Sequence, residues 1–255
     1  MKDCVQSYIR KMAAGLPITK PSIPIFYFGD LPGYQESELK IITVGLNPSH
    51  HEFPEADRFT RFKKAENLEL FKPLSDEDTR LYVESLNNYF KEEPYNWFNC
   101  YEPLLNGLHA SYYPNDYSNR ALHTDICSPF ATDVTWSELS ENHQRLLSIE
   151  GCTFWHRLVE YLKPDLILIS VARNHLLRIR VRKSRWKTYT SIHNMSDGSS
   201  RPRPYDVETA EFEVEGKNGY LVFGKAAQLP FGTLSKAYKE IVGERLLSLH
   251  YDTSK

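Results

Sequence analysis

Apolar residues follow two patterns along this chain, short continuous runs and spacing at helical period. The runs predict buried strands at residues 40–45, 121–126 and 164–170, and a strand pair near residues 212–223. Helical spacing predicts helices at residues 1–14, 76–91, 95–112, 152–162 and 234–247. Because apolar strands alternate with helices, we predict an α/β fold, a three-layer α/β/α sandwich with a central, mainly parallel sheet of about four to five strands.

Two segments fit neither pattern well. Residues 1–33 are rich in proline after the short first helix and predict an irregular N-terminal lead-in. Residues 188–210 are polar and contain Asp-Gly-Ser-Ser and Arg-Pro-Arg-Pro, so we predict a mobile loop there. This loop is not a linker between domains, and we expect one domain over residues 1–255.

The composition is that of an ordinary globular protein, with 41% hydrophobic and 25% charged residues among 255. The longest apolar run, at residues 166–169, is far shorter than the roughly 20 residues that span a bilayer, and the N-terminus lacks the apolar core of a signal peptide. We therefore expect a cytoplasmic protein without membrane contact. The four cysteines include no Cys-x-x-Cys pair, so neither a zinc site nor a disulfide framework is expected.

Asn47 and Pro48 directly follow the strand predicted at residues 40–45. In open α/β sheets ligands bind beyond the carboxyl ends of the strands, so this loop is a candidate site. Asn and Pro are also common turn residues, and a simple turn is the alternative. The adjacent His50 and His51 have no third ligand at metal-binding spacing, so we expect surface positions or one phosphate contact instead of a metal site.

Residues 41–49, Ile-Ile-Thr-Val-Gly-Leu-Asn-Pro-Ser, resemble the first motif of the uracil-DNA glycosylase superfamily, in which a strand ends in Gly-x-Asn-Pro or Gly-x-Asp-Pro. Phe53 matches that family's aromatic residue that stacks on an extruded base. Asp125 stands where the family has a base-reading Asn, and residues 162–170 are similar to its Lys-Pro segment before a buried strand. The resemblance covers about residues 24–247 and implies that family's fold.

This resemblance implies an enzyme that hydrolyses the bond between deoxyribose and a flipped-out uracil, or another damaged or modified base. The reaction would need no metal or organic cofactor and would serve DNA repair or defence against foreign DNA. Asn47 would be the catalytic residue, because its amide oxygen can orient the attacking water although it cannot remove a proton. Leu46, Pro48, Phe53 and Asp125 would bind the base.

The last motif departs from the family pattern. Many members carry His-Pro-Ser-Pro-Leu-Ser, whereas residues 227–235 read Ala-Gln-Leu-Pro-Phe-Gly-Thr-Leu-Ser. In that family the imidazole stabilises negative charge on the departing base. Its absence here implies slower chemistry, a different leaving group, or a second catalytic donor at Gln228.

Basic and hydroxyl side chains predict where DNA would bind. The segment from Arg173 to Lys187 is basic, lacks acidic residues and contains Trp186, which suits phosphates and unstacked bases, with a solvated face as the alternative. Thr233 and Ser235 either hold a phosphate or cap the last helix. The predicted DNA contacts are Ser49, His51, Arg180, Arg182, Lys183, Arg185, Thr233 and Ser235. The expected partner is DNA, single-stranded or duplex with a flipped base, bound by a monomer.

Asp125 leads to a prediction about the base. An ionised carboxylate only accepts hydrogen bonds, so it disfavours uracil O4 and favours an amino group such as cytosine N4, although cytosine N3 then needs another donor. A protonated Asp125, or a neighbouring reader at Thr124 or His123, would keep uracil as a substrate. Two other functions compete: a catalytically weak protein that binds a modified base in nucleic acid, and a hydrolase of free nucleosides or nucleotides.

Overall fold

The computed structural model describes residues 2–252, with side chains through residue 249. The chain forms two compact units, each assembled from three stretches of sequence. Unit 1 comprises Met1–Leu31, Gly45–Tyr95 and His123–Tyr161, and unit 2 comprises Pro32–Val44, Asn96–Leu122 and Leu162–Lys255. The single domain that we expect over residues 1–255 stays a prediction.

Within the described residues, seven strands form one sheet, most of which belongs to unit 2. The strands are β1 (Ile41–Gly45), β2 (Ala110–Ser111), β3 (Asn119–Asp125), β4 (Leu166–Ile169), β5 (Lys187–Asn194), β6 (Ser200–Val214) and β7 (Lys217–Gly224). Their order is β2-β3-β1-β4-β7-β6-β5. β2 and β3, β1 and β4, and β4 and β7 pair in parallel, whereas β6 pairs antiparallel with β5 and β7. The predicted α/β class with a mainly parallel sheet is confirmed and fits an α/β sandwich, but the strand number is seven.

The central strands form because their residues suit burial on both faces. β1 reads Ile-Ile-Thr-Val-Gly, β4 reads Leu-Ile-Leu-Ile, and every residue of both strands is buried. Side chains of a strand alternate between the two faces, so a continuous apolar run indicates a sheet that is covered on both sides. The pairing of Ile41 with Leu166 and of Val44 with Ile169 sets the register that ends β1 at Gly45.

Six α-helices occur in the described part of the chain. They are α1 (Lys2–Ala13), α2 (Leu31–Glu36), α3 (Asp76–Asn87), α4 (Glu102–Gly107), α5 (Glu141–Leu162) and α6 (Lys236–Asp252). In unit 2, α4 and α6 approach each other through glycines. A Cβ added to Gly107 would lie 2.1 Å from the Glu240 carbonyl oxygen, and one added to Gly243 would lie 2.3 Å from that of Leu104.

The core of unit 1 is aromatic. The ring of Tyr89 packs against Phe28 at a centroid distance of 4.7 Å and against Phe62 at 5.4 Å. Phe62 in turn stacks on Phe53 at 5.3 Å. All four side chains are at most 1% exposed. Because aromatic rings bury large apolar areas, this cluster anchors the loop that follows β1.

Residues 188–210 form strands, and the mobile loop predicted there is wrong. β5 and β6 occupy most of the segment as an antiparallel hairpin. The β-branched Thr188, Thr190 and Ile192 favour a strand, and the Arg-Pro-Arg-Pro string falls where the register between β5 and β6 shifts after Ile192. Proline is tolerated in a sheet at such irregular positions.

The helix predicted at residues 95–112 is wrong in part. The structure has a 3₁₀ helix at Asn96–Cys100, then α4 and β2. After α4 the chain turns at His109, whose φ of +53° ends helical geometry. The helix predicted at residues 152–162 is the second half of α5, and the first predicted helix is confirmed as α1.

No helix within residues 2–252 is long and apolar enough to cross a membrane. The same residues include no group of three or more His, Cys, Asp or Glu side chains that could hold a metal ion. All four cysteines are free thiols.

We predict slow amide hydrogen exchange at residues 207–209 of β6, because this strand lies between β5 and β7. Residues 195–199, which connect β5 to β6, should exchange rapidly and serve as the internal control. Hydrogen exchange followed by mass spectrometry measures both segments. Uniformly rapid exchange over residues 188–210 would contradict the hairpin.

Candidate active site

The loop that follows β1 is hydrogen-bonded to the segment that follows β3. The amide of Ile126 donates to the Gly45 carbonyl oxygen at 3.1 Å. The amides of Cys127 and Ser128 donate to the Leu46 carbonyl oxygen at 2.9 and 3.2 Å. All five residues belong to unit 1. Backbone hydrogen bonds therefore connect the loop that follows β1 with the segment that follows β3 inside this unit.

The side chain of Asn47 is held in one orientation. Its Nδ2 donates to the Pro48 carbonyl oxygen and to Thr132 Oγ1, each at 2.8 Å. The Thr132 hydroxyl donates its own proton to the Val134 carbonyl oxygen at 2.8 Å, so Thr132 Oγ1 acts as the acceptor toward Asn47. If the amide were flipped, Asn47 Oδ1 would face the Pro48 carbonyl oxygen and Thr132 Oγ1, neither of which could donate a hydrogen bond there. Asn47 is half-buried, and its Oδ1 accepts no hydrogen bond from any described residue.

Asp125, at the end of β3, lies directly against Gly45. A Cβ added to Gly45 would come 2.5 Å from Asp125 Oδ1 and 2.9 Å from His123 Nε2, which is closer than real Cβ atoms approach other atoms. A larger residue at this position would require the Asp125 and His123 side chains to shift, whereas glycine leaves room for them. Asp125 Oδ1 also lies 3.6 Å from His123 Nε2.

The other oxygen of this carboxyl group, Asp125 Oδ2, is buried without a hydrogen-bond partner among the described residues. Buried polar atoms are nearly always paired, so this oxygen is a candidate for binding a ligand or a water molecule. A cavity of about 10 Å³ adjoins Asp125, with room for about one water molecule. A base is larger, so its entry requires lining side chains such as Phe26 and Phe154 to move.

Thr124, the alternative residue for base recognition, already accepts a hydrogen bond from another side chain. Its Oγ1 accepts a hydrogen bond from Trp155 Nε1 at 3.1 Å. Neighbouring residues of a strand point to opposite faces, so Thr124 faces away from Asp125 whereas His123 shares its face. Of these three residues, Asp125 is the one with an open acceptor.

The residues after Pro48 form a capped 3₁₀ helix, His50–Glu52. Ser49 Oγ accepts from the amide of His51 at 3.1 Å and caps this helix. The ring of His51 lies 4.0 Å from that of His50. Burial lowers the pKa of His51, and the positive charges of His50 and Arg61 lower it further.

Glu52 is a buried acid that the sequence pattern does not reveal. It is 3% exposed, and the hydroxyl of Tyr89 donates to its Oε2. Tyr89 Oη also accepts from the amide of Tyr95 at 3.0 Å. Burial raises the pKa of Glu52 to about 8, and Asp125 adds to the rise, while Tyr89 and Arg61 oppose it.

Arg61 adds unpaired donors to this region. Its Nε and Nη1 are buried and have no hydrogen-bond partner among the described residues. Its guanidinium carbon lies 5.9 Å from the centroid of the Tyr95 ring. His50 Nδ1 is also buried without a partner in the described chain. Unit 1 thus contains several buried polar atoms with unmet hydrogen-bonding capacity, as a ligand site does.

Phe53 lies in the core and faces no open pocket. Its exposed fraction is 0%. The ring stacks on Phe62 at 5.3 Å and meets Phe59 edge-on at 5.9 Å. Stacking on a base, as the sequence predicts, therefore requires these neighbours to move. Of the other predicted base contacts, Leu46 is half-buried and Pro48 is buried.

The predicted residues of the last motif lie in unit 2. Gln228 is exposed and adopts a φ of +42° in the loop before α6. Ser235 Oγ accepts from the amide of Tyr238 at 3.3 Å and so caps α6, as the alternative reading of this residue expects. The carbonyl oxygen of Thr233 accepts from Arg201 at 2.7 Å. Phosphate binding by Thr233 and Ser235 stays a prediction.

The basic segment runs beside acidic residues of β6. The four predicted DNA contacts in it are exposed: Arg180, Arg182, Lys183 and Arg185. Lys183 forms an ion pair with Glu213, and Arg173 forms one with Glu208. The segment contains no acidic residue, but in the folded chain it lies beside Glu208 and Glu213 of β6. These two carboxylates compensate part of its positive charge.

Comparison of the chain with known protein families, with curated proteins and with solved structures gives no match. The resemblance to the uracil-DNA glycosylase superfamily therefore depends on residues 41–49 and on the positions of Phe53 and Asp125. It stays a prediction.

We predict that Gly45→Ala destabilises the protein by about 1–3 kcal/mol, the usual cost of forcing an extra methyl group into a packed region. The new Cβ would meet Asp125 Oδ1 at 2.5 Å. Denaturant unfolding measures the loss. In an Asp125→Ala background the same substitution should cost less, because the opposing oxygen is gone. An equal cost in both backgrounds would show that this contact is not the cause.

Proposed function

We propose that this protein is a DNA glycosylase that hydrolyses the bond between deoxyribose C1′ and a flipped-out base. The observation that carries the proposal is the orientation of Asn47. Thr132 and Pro48 hold its Nδ2, which leaves Oδ1 open just beyond the end of β1. An open amide oxygen can accept a hydrogen bond from water, and ligands of α/β sheets bind at this end of the strands.

In the proposed reaction, the oxygen of a water molecule bonds to C1′ while the bond between C1′ and the base breaks. The electron pair of that bond leaves with the base, which then takes a proton from solvent. Asn47 Oδ1 orients the water but cannot take its proton, which passes to solvent after the new bond has formed. The rate gain comes from orientation in a near-attack geometry, so we expect modest turnover.

The open acceptor at Asp125 supports a preference for a base with an amino group. Two acceptors that face each other in a buried site cost about 1–3 kcal/mol, and more when one is charged. Uracil O4 would meet this penalty at Asp125 Oδ2, whereas cytosine N4 would supply the donor that Oδ2 lacks. The proposed substrate is therefore a cytosine-type or other amino-bearing base in DNA.

Exposed cations support DNA as the partner. Arg182 and Arg185 are exposed and form no ion pair within the described residues. Arginine side chains of this kind bind phosphates and release counterions, whatever the base sequence. We propose that the protein binds DNA as a monomer through these residues.

A protein that recognises a modified base without releasing it is the second candidate. It is favoured by the absence from residues 227–235 of the His that the last motif of the resembled family carries, and by the inability of Asn47 to remove a proton. Binding without release of the base would identify this function.

We predict that Asn47→Ala lowers base release by about 100-fold or more, because the water loses its acceptor. DNA affinity should change only a few-fold, since the amide is not proposed to hold phosphate. The assay incubates oligonucleotides carrying uracil, hypoxanthine, xanthine, mispaired thymine or modified cytosines, and then cleaves abasic sites with alkali. Asn142→Ala, an exposed asparagine of the same unit, is the control and should act like the wild type. Undiminished release by Asn47→Ala would refute the proposed role.

We predict that Asp125→Asn raises uracil release and lowers release of a modified cytosine, each by about tenfold, because an amide can donate to O4 whereas a carboxylate cannot. Single-stranded oligonucleotides that carry either base provide the measurement. Asp133→Asn, at an exposed acid of the same unit, should change neither rate. Robust uracil release by the wild type that persists above pH 7 would rule out this specificity.

A further inference from the structure

We propose that Arg61 of unit 1 is a phosphate-binding residue. The unit that contains Asn47 and Asp125 would thus have a phosphate contact of its own. The inference rests on the proposed function in one respect, since DNA is the source of phosphate that it favours. Binding itself needs no glycosylase chemistry, because charge and hydrogen bonds hold a phosphate.

Arg61 is the only basic residue between positions 58 and 64 that has no carboxylate partner in the described chain. The other three each form an ion pair: Arg58 with Glu55, Lys63 with Glu92 and Lys64 with Glu84. The side chain of Arg61 is half-buried. Because burying a charge is costly unless the charge is paired, Arg61 is suited to an anion that the protein does not supply.

All three nitrogen atoms of the Arg61 guanidinium lack a hydrogen-bond partner among the described residues. Nε and Nη1 are buried, whereas Nη2 is open to solvent. Nη2 shares one edge of the planar guanidinium with Nε and the other edge with Nη1. An anion that reaches Nη2 from solvent can therefore accept from a second nitrogen at the same time, in the bidentate geometry that arginine forms with phosphate.

The groups around Arg61 leave its charge uncompensated. Its guanidinium carbon lies 5.9 Å from the centroid of the Tyr95 ring, and the ring of His51 lies 5.1 Å from the same ring. Burial raises the pKa of Glu52 to about 8 although the Arg61 charge opposes the rise, so this acid is mostly protonated at pH 7. A phosphate would supply the missing negative charge.

Arg58 shows how the same segment pairs an arginine that has a structural role. Its Nη1 donates to the Phe53 carbonyl oxygen at 2.5 Å, and its Nη2 lies 4.0 Å from Glu55 Oε1. Arg58 is half-buried, as Arg61 is. The protein uses the donors of Arg58 but not those of Arg61, so Arg58 provides a matched control.

A phosphate group suits Arg61 because it combines negative charge with several acceptor oxygens. A DNA backbone presents one such group at every nucleotide, and a free phosphate-bearing molecule offers the same chemistry. The two sources differ in a measurable way, because a backbone contact releases counterions and therefore changes how affinity depends on salt.

The first test compares thermal unfolding in sodium chloride with unfolding in sodium phosphate of equal ionic strength at pH 7. The midpoint of the wild type should rise with phosphate concentration, because a ligand that binds the folded state stabilises it. Arg61→Gln should retain only the general effect of phosphate as a stabilising salt. Arg145→Gln, at an exposed arginine of the same unit, should follow the wild type.

The second test measures affinity for an unmodified single-stranded oligonucleotide by fluorescence anisotropy at several salt concentrations. Loss of one phosphate contact lowers the slope of log affinity against log salt by about 0.7 for single strands. Arg61→Gln should show this change alike for oligonucleotides of different sequence, whereas Arg145→Gln should keep the wild-type slope.

The two measurements together identify the source of the phosphate. A lower slope in Arg61→Gln identifies the DNA backbone. A loss of the phosphate response in Arg61→Gln with an unchanged slope identifies a free phosphate-bearing ligand. If Arg61→Gln matches the wild type in both measurements, the inference is overturned.

Unfolding by denaturant in sodium chloride separates ligand binding from a structural role. Arg61→Met should be at least as stable as the wild type, because a half-buried charge without a partner is removed. Arg58→Met should be less stable, since the Phe53 carbonyl oxygen loses its donor. A loss in Arg61→Met as large as that in Arg58→Met would give Arg61 a structural role and contradict the inference.

Failure of the phosphate site and failure of the proposed function have different signatures. If the protein releases a base from DNA but Arg61→Gln matches the wild type in both binding measurements, only the phosphate site is refuted. If no oligonucleotide loses a base while Arg61→Gln still lowers the phosphate response or the salt slope, the phosphate site stands and the glycosylase function is refuted.

Discussion

The contact between Gly45 and Asp125 is the constraint on which the candidate site depends. Without a Cβ at Gly45, the end of β3 can approach the end of β1, and the amide of Cys127 then reaches the carbonyl oxygen of Leu46. From α5, Gly151 approaches so closely that a Cβ there would lie 2.0 Å from the Cys127 carbonyl oxygen. Gly45 and Gly151 therefore both allow close packing around this segment. The same segment continues to Thr132, which accepts a hydrogen bond from Asn47 and orients its amide. The packing of this segment therefore also positions the proposed catalytic residue.

Two residues of unit 1, Asp125 and Arg61, have buried polar atoms that cost free energy unless they are paired. Asp125 Oδ2 lacks a donor, and Arg61 has two N–H groups without an acceptor, within the described residues. Burying such groups unpaired costs free energy, whereas a polar ligand that pairs with them recovers it. The cavity beside Asp125 holds about one water molecule, and Phe53 is covered by Phe62. Base binding must therefore offset the displacement of these aromatic side chains.

The sequence predicts those parts of the structure that local patterns determine. The apolar runs of β1 and β4 suit only buried strands, and the Gly and Pro that follow β1 locate the loop of Asn47. The β5–β6 hairpin was not predicted, because both strands are rich in polar residues that hide the alternation of a half-buried strand, and because the Arg-Pro-Arg-Pro string is typical of a loop. Glu52 looks like an ordinary surface acid until Tyr89, far along the chain, packs over it and donates a hydrogen bond to it. No local pattern contains that contact, nor the ion pairs that β6 makes with the basic segment.

The most direct test is a crystal structure of the protein bound to a single-stranded oligonucleotide that contains 2′-fluoroarabinocytidine. We predict an ordered water about 3 Å from Asn47 Oδ1 and in line with C1′, with the cytosine amine on Asp125 Oδ2. Thr132 should still hold Asn47 Nδ2 in that complex. A base bound away from Asp125, or an Asn47 whose Oδ1 is turned to a protein donor, would contradict the account.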